Sequence, residues 1–334
     1  MNISLLEPIG VSKHIIDELA GDLIAQGHRF TYYDTKTVDA GELAKRSQDQ
    51  DIVIIANNPY PAEVIHTAER LKMIDVSFTG IDHVDTTTCK SRGITVCNAA
   101  NYSNETVAEL VIGLTIAVLR KIPTGDIATR VGKTSLGLTG REIAGRTVGI
   151  IGTGRIGTVT ARLFAAFGAR VIAYSRTKSA EAERLGVTYV TLEELMKESD
   201  IISLHVPSTA ETKHLINAER ISLMKTDAIL INCARGAIVD NAALAEALRL
   251  GKIAGAGIDV FDMEPPLPEK YPLLDAPNTI LTPHIAFASE ESMKRRAEIV
   301  FENIRAYLNG TPQNICKLCS SDQKPQKSLK SSIS

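Results

Sequence analysis

Apolar residues follow two rhythms along this chain. Short β-branched runs at 2–6, 29–33, 52–56, 73–78 and 95–97 read as strands, and the stretches 13–26, 39–47 and 61–70 between them read as helices. In the first of those helices Ile15, Ile16, Leu19 and Leu23 share one face. The alternation resumes at 147–151 and continues through 171–174, 187–190, 201–205, 228–232, 253–260 and 279–281. Thr191 with Glu194 forms a capping-box pattern, and Asp240 stands where it caps a helix over 241–250. A charged amphipathic helix spans 290–307. The longest apolar stretch, 107–119, is interrupted by Glu109 and is too short to span a bilayer, so it reads as a buried helix. Strands alternating with helices predict parallel sheets covered by helices, first a small α/β domain and then a larger one.

Composition narrows the picture. A chain of 334 residues exceeds the size at which one core keeps growing, so two domains are expected. With 44% hydrophobic and 23% charged residues it folds as an ordinary globular protein. A net charge of -2 gives no broad basic field, which excludes nucleic acid and anionic membrane as natural partners and favours a small molecule. The N-terminus shows neither a basic segment nor a long apolar region, and five scattered cysteines (Cys89, Cys97, Cys233, Cys316, Cys319) do not form a disulfide framework. A reducing cytoplasm is expected. Cys316 and Cys319 make a C-x-x-C without a second ligand pair, so no metal site is expected. Ser, Lys, Gln and Pro dominate the end of the chain, and 316–334 is expected to be a disordered tail.

The run at 147–151 leads directly into Gly152-Thr153-Gly154-Arg155-Ile156-Gly157, and Ile156, Val159, Leu163 and Phe167 then fall on one helix face. In a strand-turn-helix setting, Gly152 permits the bend, Gly154 lets a pyrophosphate approach, and Gly157 lets the helix pack on the strand. At the next strand end, where a carboxylate usually binds the ribose hydroxyls of NAD, the sequence reads Tyr174-Ser175-Arg176-Thr177-Lys178. Ser175 and Thr177 can hydrogen-bond a 2′-phosphate, and Arg176 and Lys178 can neutralise it. NADP(H) is the expected cofactor; NAD(H) is the alternative if the two cations are only solvated loop residues.

Three later strands end in polar residues: Asn232-Cys233-Ala234-Arg235-Gly236, Gly257-Ile258-Asp259-Val260-Phe261 followed by Glu264-Pro265, and Thr282-Pro283-His284-Ile285. A 2-keto acid undergoing hydride addition needs a fixed cation for its carboxylate and carbonyl, and a proton donor for the nascent alkoxide. Arg235 supplies the planar fork, His284 the proton, and Glu264, if adjacent, would favour the imidazolium and orient the ring.

In this order of motifs, from the glycine turn through Arg and Glu to His, the chain resembles the D-isomer-specific 2-hydroxyacid dehydrogenases, over nearly its whole length to about Tyr307. The resemblance implies two doubly wound α/β parallel-sheet domains: a flavodoxin-like substrate domain over 1–100, a Rossmann cofactor domain over 101–286 inserted in it, and a return over 287–315. Arg235, Glu264 and His284 become the catalytic arginine, glutamate and histidine. Val206, Pro207, Cys233 and Ala234 fall on the cofactor side, His205 either there or in a structural role, and Asp259 near the nicotinamide or His284 rather than at the proton transfer itself. Ser77 to Asp82 resembles the loop whose backbone N–H groups receive the substrate carboxylate, with Thr79 and Gly80 the candidates and Phe78 replacing a more usual glycine. Asn57 lies where phosphate-reading members carry a basic group; no Arg or Lys stands beside it in sequence, which implies a smaller, less charged substrate. Thr106, in the entry to the long inter-domain helix, is either a nicotinamide contact or a helix-start residue. A homodimer is implied, with the 107–119 helix a candidate contributor. The implied function is hydride transfer between NAD(P)H and a small 2-keto acid such as glyoxylate or hydroxypyruvate. The rivals are a dehydrogenase of another small anion such as phosphite, or a cofactor-sensing, corepressor-like binding protein.

Overall fold

The computed structural model describes residues 1–318. The chain forms two compact units, Met1–Tyr102 joined by the segment from Ser289 onward, and Ser103–Ala288. The first contains β1 (Asn2–Leu5), α1 (Lys13–Ala25), β2 (Arg29–Tyr32), α2 (Ala40–Ser47), β3 (Ile52–Ile55), α3 (Ala62–Thr67), β4 (Met73–Val76), α4 (Thr86–Ser91) and β5 (Thr95–Asn98). The second contains α5 (Asn104–Leu119), α6 (Ile122–Arg130), β6 (Thr147–Ile151), α7 (Arg155–Ala166), β7 (Arg170–Tyr174), α8 (Ala180–Arg184), β8 (Thr188–Tyr189), α9 (Leu192–Glu198), β9 (Ile201–Leu204), α10 (Ala218–Ser222), β10 (Ile229–Asn232), α11 (Asn241–Arg249), β11 (Gly255–Ile258) and β12 (Thr279–Leu281). Helix α12 (Glu290–Leu308) completes the first unit.

In the first unit five parallel strands lie in the order β2-β1-β3-β4-β5. β3, Ile-Val-Ile-Ile, is wholly buried, as a central parallel strand covered on both faces requires. Val53, Ile55, Ile74, Val76 and Val96 pack with Leu43, Val64, Ile65 and Cys89 from α2, α3 and α4. α12 lies on β4 and against α1, where Arg305 Nε pairs with Asp22 Oδ2 at 2.7 Å.

In the second unit seven parallel strands lie in the order β12-β11-β10-β9-β6-β7-β8. Ile151, Leu204, Leu230 and Ile258 pack with α9, α10 and α11, while Val148, Ile150, Ile229 and Ile231 pack with α5 and α7. The capping box of Thr191 and Glu194 forms, and Asp240 caps α11. The apolar 107–119 helix buries Val107, Val111, Ile112, Leu114 and Leu119 in the core of its own unit and leaves Leu110, Ile116 and Val118 partly exposed. Helix α6, which the sequence does not announce, carries no buried residue at all. Its apolar positions therefore give no core-facing stripe to recognise.

The expected tail starts too early. Ile315 bridges Cys97 in antiparallel fashion and the Cys316 amide donates to Val96 O at 2.8 Å, which holds the chain to β5. The remainder of that expectation, with Cys319, falls at 319–334, outside the described residues. Among the described residues no helix is long and apolar enough to cross a membrane.

Candidate active site

All strands of the Ser103–Ala288 unit are parallel, so the loops leaving their carboxyl ends open on one edge, and the strand order switches between β9 and β6. Such a switch point leaves a crevice for a ligand. β6 runs into the glycine turn there. Gly152 has φ +99°, and a Cβ on Gly157 would lie 2.0 Å from the Gly152 carbonyl oxygen, so neither site admits a side chain. Gly154 faces open space and is the N-cap of α7 without a side-chain bond. The leading amides of α7, those of Arg155, Ile156 and Gly157, thus have no capping side chain and suit a pyrophosphate. These residues fit a dinucleotide.

Beyond β7, Ser175 is half-buried while Arg176, Thr177 and Lys178 are exposed. Beyond β9, the His205 backbone packs on the glycine turn. Its Nε2 lies 2.8 Å from Ser203 Oγ, and burial pushes its pKa down to about 3, so the ring is neutral. Val206 is half-buried and Pro207 exposed. Cys233, buried after β10, has its thiol pKa pushed well above the usual range by burial, and half-buried Ala234 follows. Thr106 sits half-buried in the first turn of α5.

Arg235 leaves β10 through a loop that a buried amide holds in shape. Asn232 Oδ1 accepts from the Ala234 amide and its Nδ2 donates to Arg235 O, each at 3.0 Å. Arg235 itself is half-buried, with Nη1 donating to Ala234 O at 2.8 Å. His284 follows β12 in a left-handed conformation at φ +57°. Its Nδ1 lies 3.0 and 3.1 Å from the two carboxylate oxygens of Glu264. An ionised carboxylate only accepts, so Nδ1 carries the proton of that bond and Nε2 is the nitrogen left for proton exchange. Phe287 meets the imidazole edge-on at 5.6 Å.

Asp259, expected near the nicotinamide or His284, holds the loop that carries His284. It is fully buried, and its carboxylate accepts from Thr282 Oγ1 at 2.6 Å and from the Ile285 and Ala286 amides at 2.9 Å each. Its carbonyl also accepts from the His284 amide at 2.9 Å. Burial raises its pKa against the pull of those hydrogen bonds. It positions the His284 loop through partners more than twenty positions away, which the sequence does not identify.

The residues assigned to the substrate belong to the other unit, in the loops after β3 and β4. There Asn57 Oδ1 accepts from Lys36 Nζ at 2.7 Å, so the basic group missing beside Asn57 in sequence arrives from the loop after β2. Buried Glu7 shapes the same loop, accepting from the Ala56 and Asn58 amides at 2.8 and 3.0 Å. Asn98 Nδ2 donates to Thr79 O at 2.6 Å beside Gly80. Phe78, in place of glycine, packs edge-on to Tyr102 at 6.3 Å with the Arg296 guanidinium 4.8 Å from its ring centre.

Known proteins share this fold. The family model of the NAD-binding domain of D-isomer-specific 2-hydroxyacid dehydrogenases matches residues 112–286. A glyoxylate reductase of Korarchaeum cryptofilum is 41% identical over 281 residues, 82% of this chain and 84% of that protein. An acyclic imino acid reductase solved with NADPH and D-arginine is 32% identical with a TM-score of 0.84, covering 95% of this chain and 100% of its own. The D-lactate dehydrogenase of Aquifex aeolicus, solved with NAD and lactic acid, is 32% identical with a TM-score of 0.80, covering 93% and 96%. With its glycine turn, its Arg235 loop and its Glu264–His284 pair carried on a sheet of this kind, the chain belongs to the D-isomer-specific 2-hydroxyacid dehydrogenase family.

Proposed function

We propose that this protein reduces a short 2-keto acid to the D-2-hydroxy acid, with NADP(H) preferred over NAD(H). The observation that carries the reading is the Glu264–His284 pair on the strand edge that also bears the glycine turn. Bound nicotinamide would supply the hydride. Arg235 holds the substrate carboxylate and polarises its carbonyl, and His284 Nε2 gives a proton to the carbonyl oxygen. Glu264 holds the Nδ1–H, so that Nε2 carries the proton given by the imidazolium in reduction and is the site that takes it back in oxidation. In the other unit Thr79 and Gly80 are the candidates whose backbone amides would receive a carboxylate. For the cofactor, the support is the pair Arg176 and Lys178 where a carboxylate would select NAD.

Lys36 on Asn57 favours a second reading, an acid with a further anionic group on its far carbon. Steady-state rates with glyoxylate, hydroxypyruvate, pyruvate and 3-phosphohydroxypyruvate, each with NADPH and NADH, decide between them. Arg235→Ala and His284→Ala should each lower kcat/KM about a hundredfold or more. Full turnover by either variant overturns the mechanism. The free thiols of Cys89, Cys97, Cys233 and Cys316 suit a reducing cytoplasm. A homodimer completes the proposal, built on α6 and the turn after it, where Ile127, Val131 and Leu136 are 62%, 63% and 92% exposed.

A further inference from the structure

Tyr189 lies outside every motif in the sequence, on the two-residue edge strand β8. Its side chain nevertheless sits at the centre of the cofactor loop's hydrogen bonds. The Ser179 amide donates to Tyr189 Oη at 2.7 Å, and Oη donates to Thr153 Oγ1 at 2.8 Å. Thr153 Oγ1 in turn donates to Thr177 O at 3.5 Å. The chain of donors therefore leaves the loop at Ser179, passes through the phenol and the second residue of the glycine turn, and re-enters the loop at Thr177. A sequence of this kind, each hydroxyl accepting from one side and donating to the other, polarises along its length and fixes one arrangement. Lys178, between the two anchored residues, holds Nζ 5.5 Å from the Tyr189 ring centre. The far end of the loop is tied as well, since Ser179 caps α8 and its Oγ lies 3.4 Å from Thr158 Oγ1 on α7.

We infer that Tyr189 is a positioning residue for cofactor selection: its hydroxyl locks Thr177 and Lys178 to the glycine turn in the geometry that receives the 2′-phosphate of NADPH. This rests on the NADP(H) preference proposed above. NADH lacks that phosphate, so a slack loop costs it little. Tyr189 touches no cofactor in this scheme, because its hydroxyl is already engaged on both sides.

Tyr189→Phe keeps the ring and the contact with Lys178 but removes both links through oxygen. In steady-state assays it should raise KM for NADPH about five- to tenfold, the scale of one or two net hydrogen bonds. KM for NADH should change less than about twofold, and kcat at saturating NADPH should hold. If the parent enzyme prefers NADPH and Tyr189→Phe keeps the full preference, or weakens both cofactors equally, the positioning role is wrong while the cofactor assignment stands. If the parent enzyme shows no preference for NADPH, the cofactor assignment fails and takes the inference with it.

Discussion

A carboxylate and the corresponding amide differ by one acceptor, and at Asp259 that difference decides where His284 stands. Both carboxylate oxygens are engaged by three donors in the loop that carries the imidazole. In Asp259→Asn one oxygen becomes an NH₂ group facing a backbone N–H, and the loop must shift. A displacement on the order of 1 Å at a proton donor lowers turnover by about a hundredfold, so kcat for Asp259→Asn should fall on that scale while NADPH binding, followed by fluorescence titration, changes little. Wild-type kcat in this variant removes Asp259 from the positioning scheme. The pairing of Glu264 with His284 was legible in the order of the motifs, and the fold brings the two side chains together. The partners of Asp259 and Tyr189 were not, since they lie between ten and more than thirty positions away along the chain. Lys36 is the sharpest instance: the sequence shows an Asn57 without a basic neighbour, and the fold supplies one from another loop.

At the scale of elements, strands buried on both faces announce themselves as unbroken apolar runs, and the central strands of both sheets were readable for that reason. α4 and α6 were not. The first is a polar, threonine-rich turn and the second buries nothing, so neither presents a stripe at helical spacing. β4 carries a different surprise. Asp75 is fully buried, its Oδ1 accepts from Asn303 Nδ2 of α12 at 3.1 Å, and its Oδ2 has no partner. Burial pushes its pKa up to about 8, against the smaller downward pull of Asn303. Its thiol neighbours Cys97 and Cys316 are themselves pushed up to about 12 and about 11 and stay neutral. The folded protein thus keeps a proton that the unfolded chain gives up above about pH 4. More protons bound in the folded state means that this residue's contribution to stability falls as pH rises from about 4 to about 8 and levels off beyond. Asp75→Asn should remove that slope and gain stability at pH 8, on the order of a few kcal/mol, with no gain near pH 4. Parallel denaturation curves for variant and parent across this range would show the assignment to be wrong.

For the whole molecule, the exposed apolar positions of α6 and its following turn bear on assembly. Ile127→Glu combined with Leu136→Glu places two charges on a surface that a dimer would desolvate. Sedimentation should then shift toward monomer, while a parent protein that already sediments as a monomer would end the dimer proposal. Two domains were legible from chain length and from the break in alternation between 97 and 147. The junctions at Tyr102 and Ser289 fall just before α5 and α12 begin, and periodicity marks those helices but not the passage from one unit to the other. That division has a consequence for biogenesis. The Ser103–Ala288 unit is one uninterrupted stretch and has all its parts as soon as it clears the ribosome. The other unit must wait: α1 and all five of its strands precede that stretch, yet the helix that supplies Asn303 to Asp75 and Arg305 to Asp22 follows it. The sheet made before the inserted unit is therefore covered only after it, and until then the face awaiting α12 is the surface that a chaperone would be called on to shield.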